Sequence, residues 1–279
     1  MSDPSLLAVL TLQQVEFDRF VGRGPKYPWG GLYGGQIVAQ ALVAASATVT
    51  ATVTADFECH SLRAYFIRRG DHELPVDYEV DRIRDGRSFC TRRVVARQGG
   101  RALLNLEASY AVPEHSDDIT TVTLPVGLPT PEDLPQTSWS PYFERAFVPS
   151  TAIDGAQRSG AGRATAWLRA TTDLSDRPDL WAAALVYLSD DLPTDAVVRA
   201  HPLADEPHEV LEQVLFSASL DHSVWFHRPV RPDHWHVHDL TCQTFVAGRG
   251  LSSGHLFDRD GRHVATIAQE VLLRDRRRQ

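Results

Sequence analysis

The side chains best suited to chemistry gather in the last third of the chain. Gly250-Leu251-Ser252-Ser253-Gly254 fits GxSxG, in which the serine is a nucleophile when a strand precedes it and a helix follows. Here HLFDRDGRHVATIA follows, which reads as a strand, an Asp-Gly turn and another strand, so Ser252 is expected on a strand or turn. Five histidines lie between positions 222 and 238. His234, His236 and His238 alternate, and on a strand they would share one face at a spacing able to ligate zinc. No cysteine pair or HExxH accompanies them, so a polar strand face is expected, with no metal. His60 and His222 are candidate bases, each expected to be a structural histidine beside a core strand. Tyr65, Trp225 and Phe226 are expected to pack the core.

The chain that positions these groups has 279 residues, 43% apolar and 23% charged, enough to bury a full core. Acidic residues outnumber basic ones, 36 to 28, for a net charge of −8. That sign excludes a general attraction to phosphate backbones, so no nucleic-acid partner is expected. The three cysteines, Cys59, Cys90 and Cys242, form no CxxC pair and suit a reducing, cytoplasmic compartment. The first residues lack the basic and small-residue marks of a signal peptide. The longest apolar run, about eight residues from Trp181 to Leu188, is far short of the ~20 that span a membrane, so no membrane partner is expected.

Seven of the 17 prolines fall between Pro113 and Pro149, and a glycine-rich run, GAQRSGAG at 155–162, follows. This stretch reads as a linker or meandering connection. It divides the chain into an N-terminal unit (1–112), a connection (113–162) and a C-terminal unit (163–279). The two units resemble each other. ECHSLRAYFIR, from Glu58, lies on ASLDHSVWFHR, from Ala218, and RALLNLEASY coincides with RHVATIAQEV. A repeat of about 160 residues in such a chain is a duplicated unit. Each copy starts with an alanine-rich helix that is apolar nearly all round, Gly34 to Ser46 in the first and about Asp179 to Leu188 in the second. Alternating strands joined by Gly-Gly and Asp-Gly turns follow, one of them written as a single run, VLFSASLDHSVWFH. One helix followed by an antiparallel sheet, twice, is an α+β pattern.

Four segments carry a resemblance: GGLYGGQIVAQAL; HSLRAYFIRRGD with RDGRSFCTRRVVARQ; YLSD at 187–190; and SLDHSVWFHRP with the later ATIAQE. Together they make the sequence similar to the acyl-CoA thioesterase II family over nearly its whole length. The resemblance implies a double hot-dog fold, two tandem units each with a long central helix wrapped by a curved antiparallel sheet. It implies hydrolysis of acyl-CoA by a water held by an Asp, a Ser or Thr, and a Gln. By position these are Asp190, Ser219 and Gln269, all in the C-terminal copy. The sequence departs from the family after Asp190, reading SDDLPTD, which leaves Asp191 as a rival. The resemblance also implies a homodimer or higher oligomer, with no metal and no cofactor. Coenzyme A carries phosphates, and Arg68, Arg228 and Arg249 are candidate contacts.

The chemistry is sound from below. A thioester has a reactive carbonyl and a thiol leaving group that ionises near pH ~8.5. A carboxylate-polarised water therefore suffices without a covalent relay. In the overlay Ser219 falls on Cys59 and Gln269 on Ala108, and alanine cannot hold a water, so one hydrolytic centre per chain is expected. Two alternatives share the scaffold: an acyl-CoA binding protein that releases no thiol, and an enoyl-CoA hydratase, whose GDxNPxH-like segment is missing here.

Overall fold

The computed structural model describes residues 5–50, 57–153 and 162–278. In the N-terminal unit a short helix α1 (Leu6–Leu10) and the ribbon β1 (Gln13–Glu16) and β2 (Arg19–Gly22) lead into the long helix α2 (Gly34–Thr50). Strands β3 (Glu58–Phe66), β4 (Val76–Asp85), β5 (Phe89–Gln98) and β6 (Arg101–Ala111) follow. The connection contributes β7 (Phe143–Phe147). The C-terminal unit holds β8 (Arg163–Ala170), α3 (Trp181–Ser189), α4 (Pro193–Ala200), α5 (His208–Val214), β9 (Leu215–Ser219), β10 (Asp221–Phe226), β11 (His236–Val246), β12 (Arg249–Asp258) and β13 (His263–Asp275). This is the double hot-dog: each copy lays antiparallel strands against a buried helix, and the two sheets run on into one another.

The join lies at β3 and β10, which pair antiparallel in the order β1-β2-β4-β5-β6-β3-β10-β13-β12-β11-β8-β7. Arg63 faces Ser223, and Leu62 and His222 flank them on opposite strands against Val224 and Ala64. Arg63 and Ser223 are counterparts in the repeat, so the two copies meet about a local two-fold at this pair. The Gly99-Gly100 hairpin runs at φ +53° and +77°, values open to glycine without penalty.

α2 is buried on nearly every side, including Ile37, Val38, Ala41, Leu42 and Ala45. Its small side chains let it pack closely against α3. The connection is more than a linker. β7 extends the sheet, and Val122, Leu124, Leu128 and Leu134 pack with Trp167, Trp235, Val237 and Phe257. Of the Gly-rich run, 155–161 lies outside the described residues. Tyr65 is a correction to the expected core: alternation turns Leu62 and Ala64 inward and leaves Tyr65 63% exposed on the outer face. Trp225 lies under the Arg63 guanidinium, 5.5 Å from it, while Phe226 packs against the core.

Two local irregularities mark the C-terminal unit. The second central helix does not run on as the first does. Pro193 has no N–H to donate to the Ser189 carbonyl, so α3 stops at Ser189 and α4 starts afresh with proline in its first turn. The run expected as one strand over 214–227 is also broken. Ser219 pairs with Val271 but Ser223 with Ala268, one residue out of step. The extra residue makes a bulge at Leu220, whose N–H bonds the Glu270 carbonyl, while Asp221 Oδ1 accepts the Glu270 N–H at 2.6 Å.

Candidate active site

Asp190 sits where α3 ends, as its C-cap, with α2 beginning opposite. Its Oδ2 accepts the Gly35 backbone N–H at 2.6 Å, in the first turn of α2. Two glycines make this approach possible. A Cβ on Gly34 would stand 2.7 Å from Asp190 Oδ2, and one on Gly35 would stand 2.6 Å from the Tyr187 carbonyl oxygen. The helix start adds the positive end of its dipole. The other oxygen, Oδ1, has no hydrogen-bond partner among the described residues, and the hydroxyl of Tyr33, buried nearby, has none either. Burial pushes the Asp190 carboxyl up to about 7, against the Gly35 N–H and the Gln269 amide, which both favour the ionised form.

Ser219 and Gln269 complete the group. Gln269, fully buried on β13, donates from Nε2 to Ser219 Oγ at 2.7 Å. Ser219 is half-buried at the rim. Behind them stands His222, whose Nδ1 lies 2.5 Å from Gln269 Oε1 and whose Nε2 lies 2.8 Å from Ser189 Oγ. An unbroken strand would turn positions 219 and 222 to opposite faces. The bulge at Leu220 shifts the alternation by one and brings both side chains to Gln269. The structure thus gathers Asp190, Ser219 and Gln269, and adds Gly35 and His222.

The remaining candidates lie elsewhere. Asp191 accepts from both Arg145 Nη1 (3.0 and 2.9 Å) and Trp139 Nε1 (2.6 Å), which ties the connection to the helix break. Ser252 lies buried on β12 opposite Gln269, within a strand and with no elbow around it. His60 bonds Ser109 Oγ at 2.8 Å. His236 and His238 share one buried face of β11, their rings 4.9 Å apart, and His234 lies in the turn before it. Among the described residues no three His, Cys, Asp or Glu are grouped to hold a metal. The three arginines are scattered and engaged: Arg68 with the Ala102 carbonyl, Arg228 with Asp118, Arg249 with Glu270.

In the N-terminal copy the register is the same and the polar side chains of the candidate site are missing. Leu62 pairs with Ala108 at the positions where His222 bonds Gln269 through its side chain, and Arg92 stands where Ser252 does. The buried Arg92 is spent on Thr48 and Asp85.

A sequence model described as "Acyl-CoA thioesterase N-terminal domain" matches residues 24–111, and one described as "Acyl-CoA thioesterase C-terminal domain" matches residues 117–273. The chain belongs to the acyl-CoA thioesterase family. It is 34% identical to acyl-coenzyme A thioesterase 8 of Mus musculus, covering 96% of this chain and 88% of that one. It is 29% identical to acyl-CoA thioesterase 2 of Haemophilus influenzae, covering 97% of each. Among solved structures, the acyl-CoA thioesterase II TesB2 of Mycobacterium marinum superposes with a TM-score of 0.81 at 30% identity, over 97% of both chains. This acyl-CoA thioesterase is therefore a thioester hydrolase, and among its described residues no helix is long and apolar enough to cross a membrane.

Proposed function

We propose that the chain hydrolyses acyl-CoA by direct attack of a water held between Asp190, Ser219 and Gln269. The observation that carries this reading is the asymmetry of the Asp190 carboxylate. Oδ2 is fixed by Gly35, Oδ1 is unpartnered, and the Gln269 amide that donates to the Ser219 hydroxyl lies beside the carboxylate. Oδ1 takes a proton from the water as the water oxygen bonds to the thioester carbon. The tetrahedral species collapses with loss of the C–S bond. The proton passes from Asp190 to the departing thiolate or to solvent, leaving a carboxylic acid and CoA. Ser219, already accepting from Gln269, donates its own proton toward the water or its oxyanion. A carboxyl near neutrality suits a base at physiological pH, worth about 10²–10⁴-fold.

Acyl-CoA is the partner, and a cytoplasmic homo-oligomer is the setting this reading adopts. The test is thiol release from a panel of acyl-CoA esters, with a single-turnover arm in heavy-oxygen water. One heavy oxygen in the acid and no acyl-protein adduct is expected. An acyl group found on the protein overturns direct attack.

A further inference from the structure

His222 is a buried histidine that the hydrolytic reading does not use, and it is wedged between two polar partners. Nε2 faces Ser189 Oγ at 2.8 Å, and Nδ1 faces Gln269 Oε1 at 2.5 Å. Burial pushes its pKa down to about 4, so at neutral pH it has one ring proton and one lone pair. Only two hydrogen-bond chains are self-consistent.

In the first, Ser189 turns its one proton from the Val186 carbonyl, 3.0 Å away, to Nε2, and the Nδ1–H donates to Gln269 Oε1. The Gln269 NH2 then points at Ser219 and toward Asp190. In the second, Nε2–H donates to Ser189, which donates to the Val186 carbonyl 3.0 Å away. The Nδ1 lone pair must then accept from the Gln269 NH2, so the amide turns over and its carbonyl faces the Asp190 side. With Asp190 ionised, that sets a carbonyl dipole against a carboxylate whose remaining oxygen already lacks a donor. In a buried site this orientation is strongly disfavoured.

We infer that His222 is a positioning residue, whose Nδ1–H tautomer, with Nε2 turned to Ser189, locks the Gln269 amide with its NH2 toward Ser219 and Asp190. The inference deepens the water-holding role assigned to Gln269 and rests on that reading for its kinetic part. The repeat supplies a control. Leu62 occupies the counterpart position and pairs with Ala108, so the fold accepts leucine there where no amide needs orienting. The imidazole is present in the copy that has the glutamine and missing from the copy that has alanine.

Two measurements test it. The first is 15N NMR of the full chain labelled in histidine, with the His222 signals assigned by their loss in His222→Asn. At pH 8, where Asp190 is ionised, a neutral ring protonated on Nδ1 is expected. A ring protonated on Nε2, or on both nitrogens, overturns the inference whatever the enzyme hydrolyses. The second is kinetic. His222→Leu is expected to lower kcat by roughly ten- to a hundred-fold with KM little changed, the range in which loss of an orienting partner falls. His222→Asn places an amide N–H near the Nδ1 position and is expected to recover most of that loss. His222→Leu added to Gln269→Ala is expected to cost nothing further. Equal losses in the Leu and Asn variants, or full additivity with Gln269→Ala, overturn the inference. Failure of Gln269→Ala to lower turnover overturns the water-holding reading instead, and leaves the NMR result standing by itself.

Discussion

Asp190 Oδ2 and the Gly35 N–H meet at 2.6 Å although 155 positions separate them in the chain. The carboxylate comes from the C-terminal copy and the donor from the N-terminal copy. A centre expected to lie wholly in the second copy is therefore held by both. The bond fixes one carboxylate oxygen, and the proposed reaction assigns the proton transfer to the other.

Replacing Gly34 tests how much this close approach matters. In a helix interior alanine is favoured over glycine by roughly 1 kcal/mol, and Gly34, which opens α2, would gain only part of that even without neighbours. Here its Cβ would stand 2.7 Å from Asp190 Oδ2 and 3.1 Å from the Phe66 ring. Gly34→Ala is expected to lower kcat by about ten-fold or more while the thermal midpoint changes little. Steady-state thiol release and a melting curve check both.

The pH dependence follows from burial. With its carboxyl near 7, Asp190 is largely protonated at pH 6 and ionised at pH 8. A base must be ionised, so kcat/KM is expected to rise with pH along a limb centred near 7. A limb centred near 4 would show that Asp190 is not the group in control.

The same shift affects stability with the opposite sign. A carboxyl whose folded value lies above its unfolded one binds more protons when folded. Stability from this group is full below the unfolded value near 4 and is lost as pH rises through 7. Asp190→Asn removes this cost. It is expected to lower kcat by about 10²–10⁴-fold. It is also expected to gain stability relative to the parent at pH 8 but not at pH 4, read by urea unfolding at both pH values.

Asp191 should behave differently from its neighbour. Asp191→Asn is expected to keep turnover per folded molecule, because the side chain faces Arg145 and Trp139. Arg145→Met leaves the Asp191 charge buried without its partner and is expected to cost about 3–5 kcal/mol in chemical denaturation.

The repeat was legible in the sequence because it is carried by alternating residues on strands, and strand register preserves such a pattern. Counterparts such as Arg63 and Ser223 do face each other. Tyr65 misled because its immediate neighbours, Ala64 and Phe66, are apolar, while the pleat turns it outward with Arg63. The grouping of Ser219 with His222 was not legible. Strict alternation sets them on opposite faces, and the bulge that reverses this depends on one extra residue, a shift the first copy repeats between Cys59 and Ser61. The break after Ser189 had a visible cause in Pro193. Gly35 had no legible role, since a donor on a backbone nitrogen leaves no mark in side-chain type beyond the smallness that admits its partner.

The seam at β3 and β10 also makes the duplication hard to reverse. Cutting the copies apart would bare an unpaired edge on each, a standing invitation to aggregate. It would also strip the acid of its backbone anchor. With leucine and alanine where its counterpart has histidine and glutamine, the N-terminal copy acts as scaffold and clamp for the other.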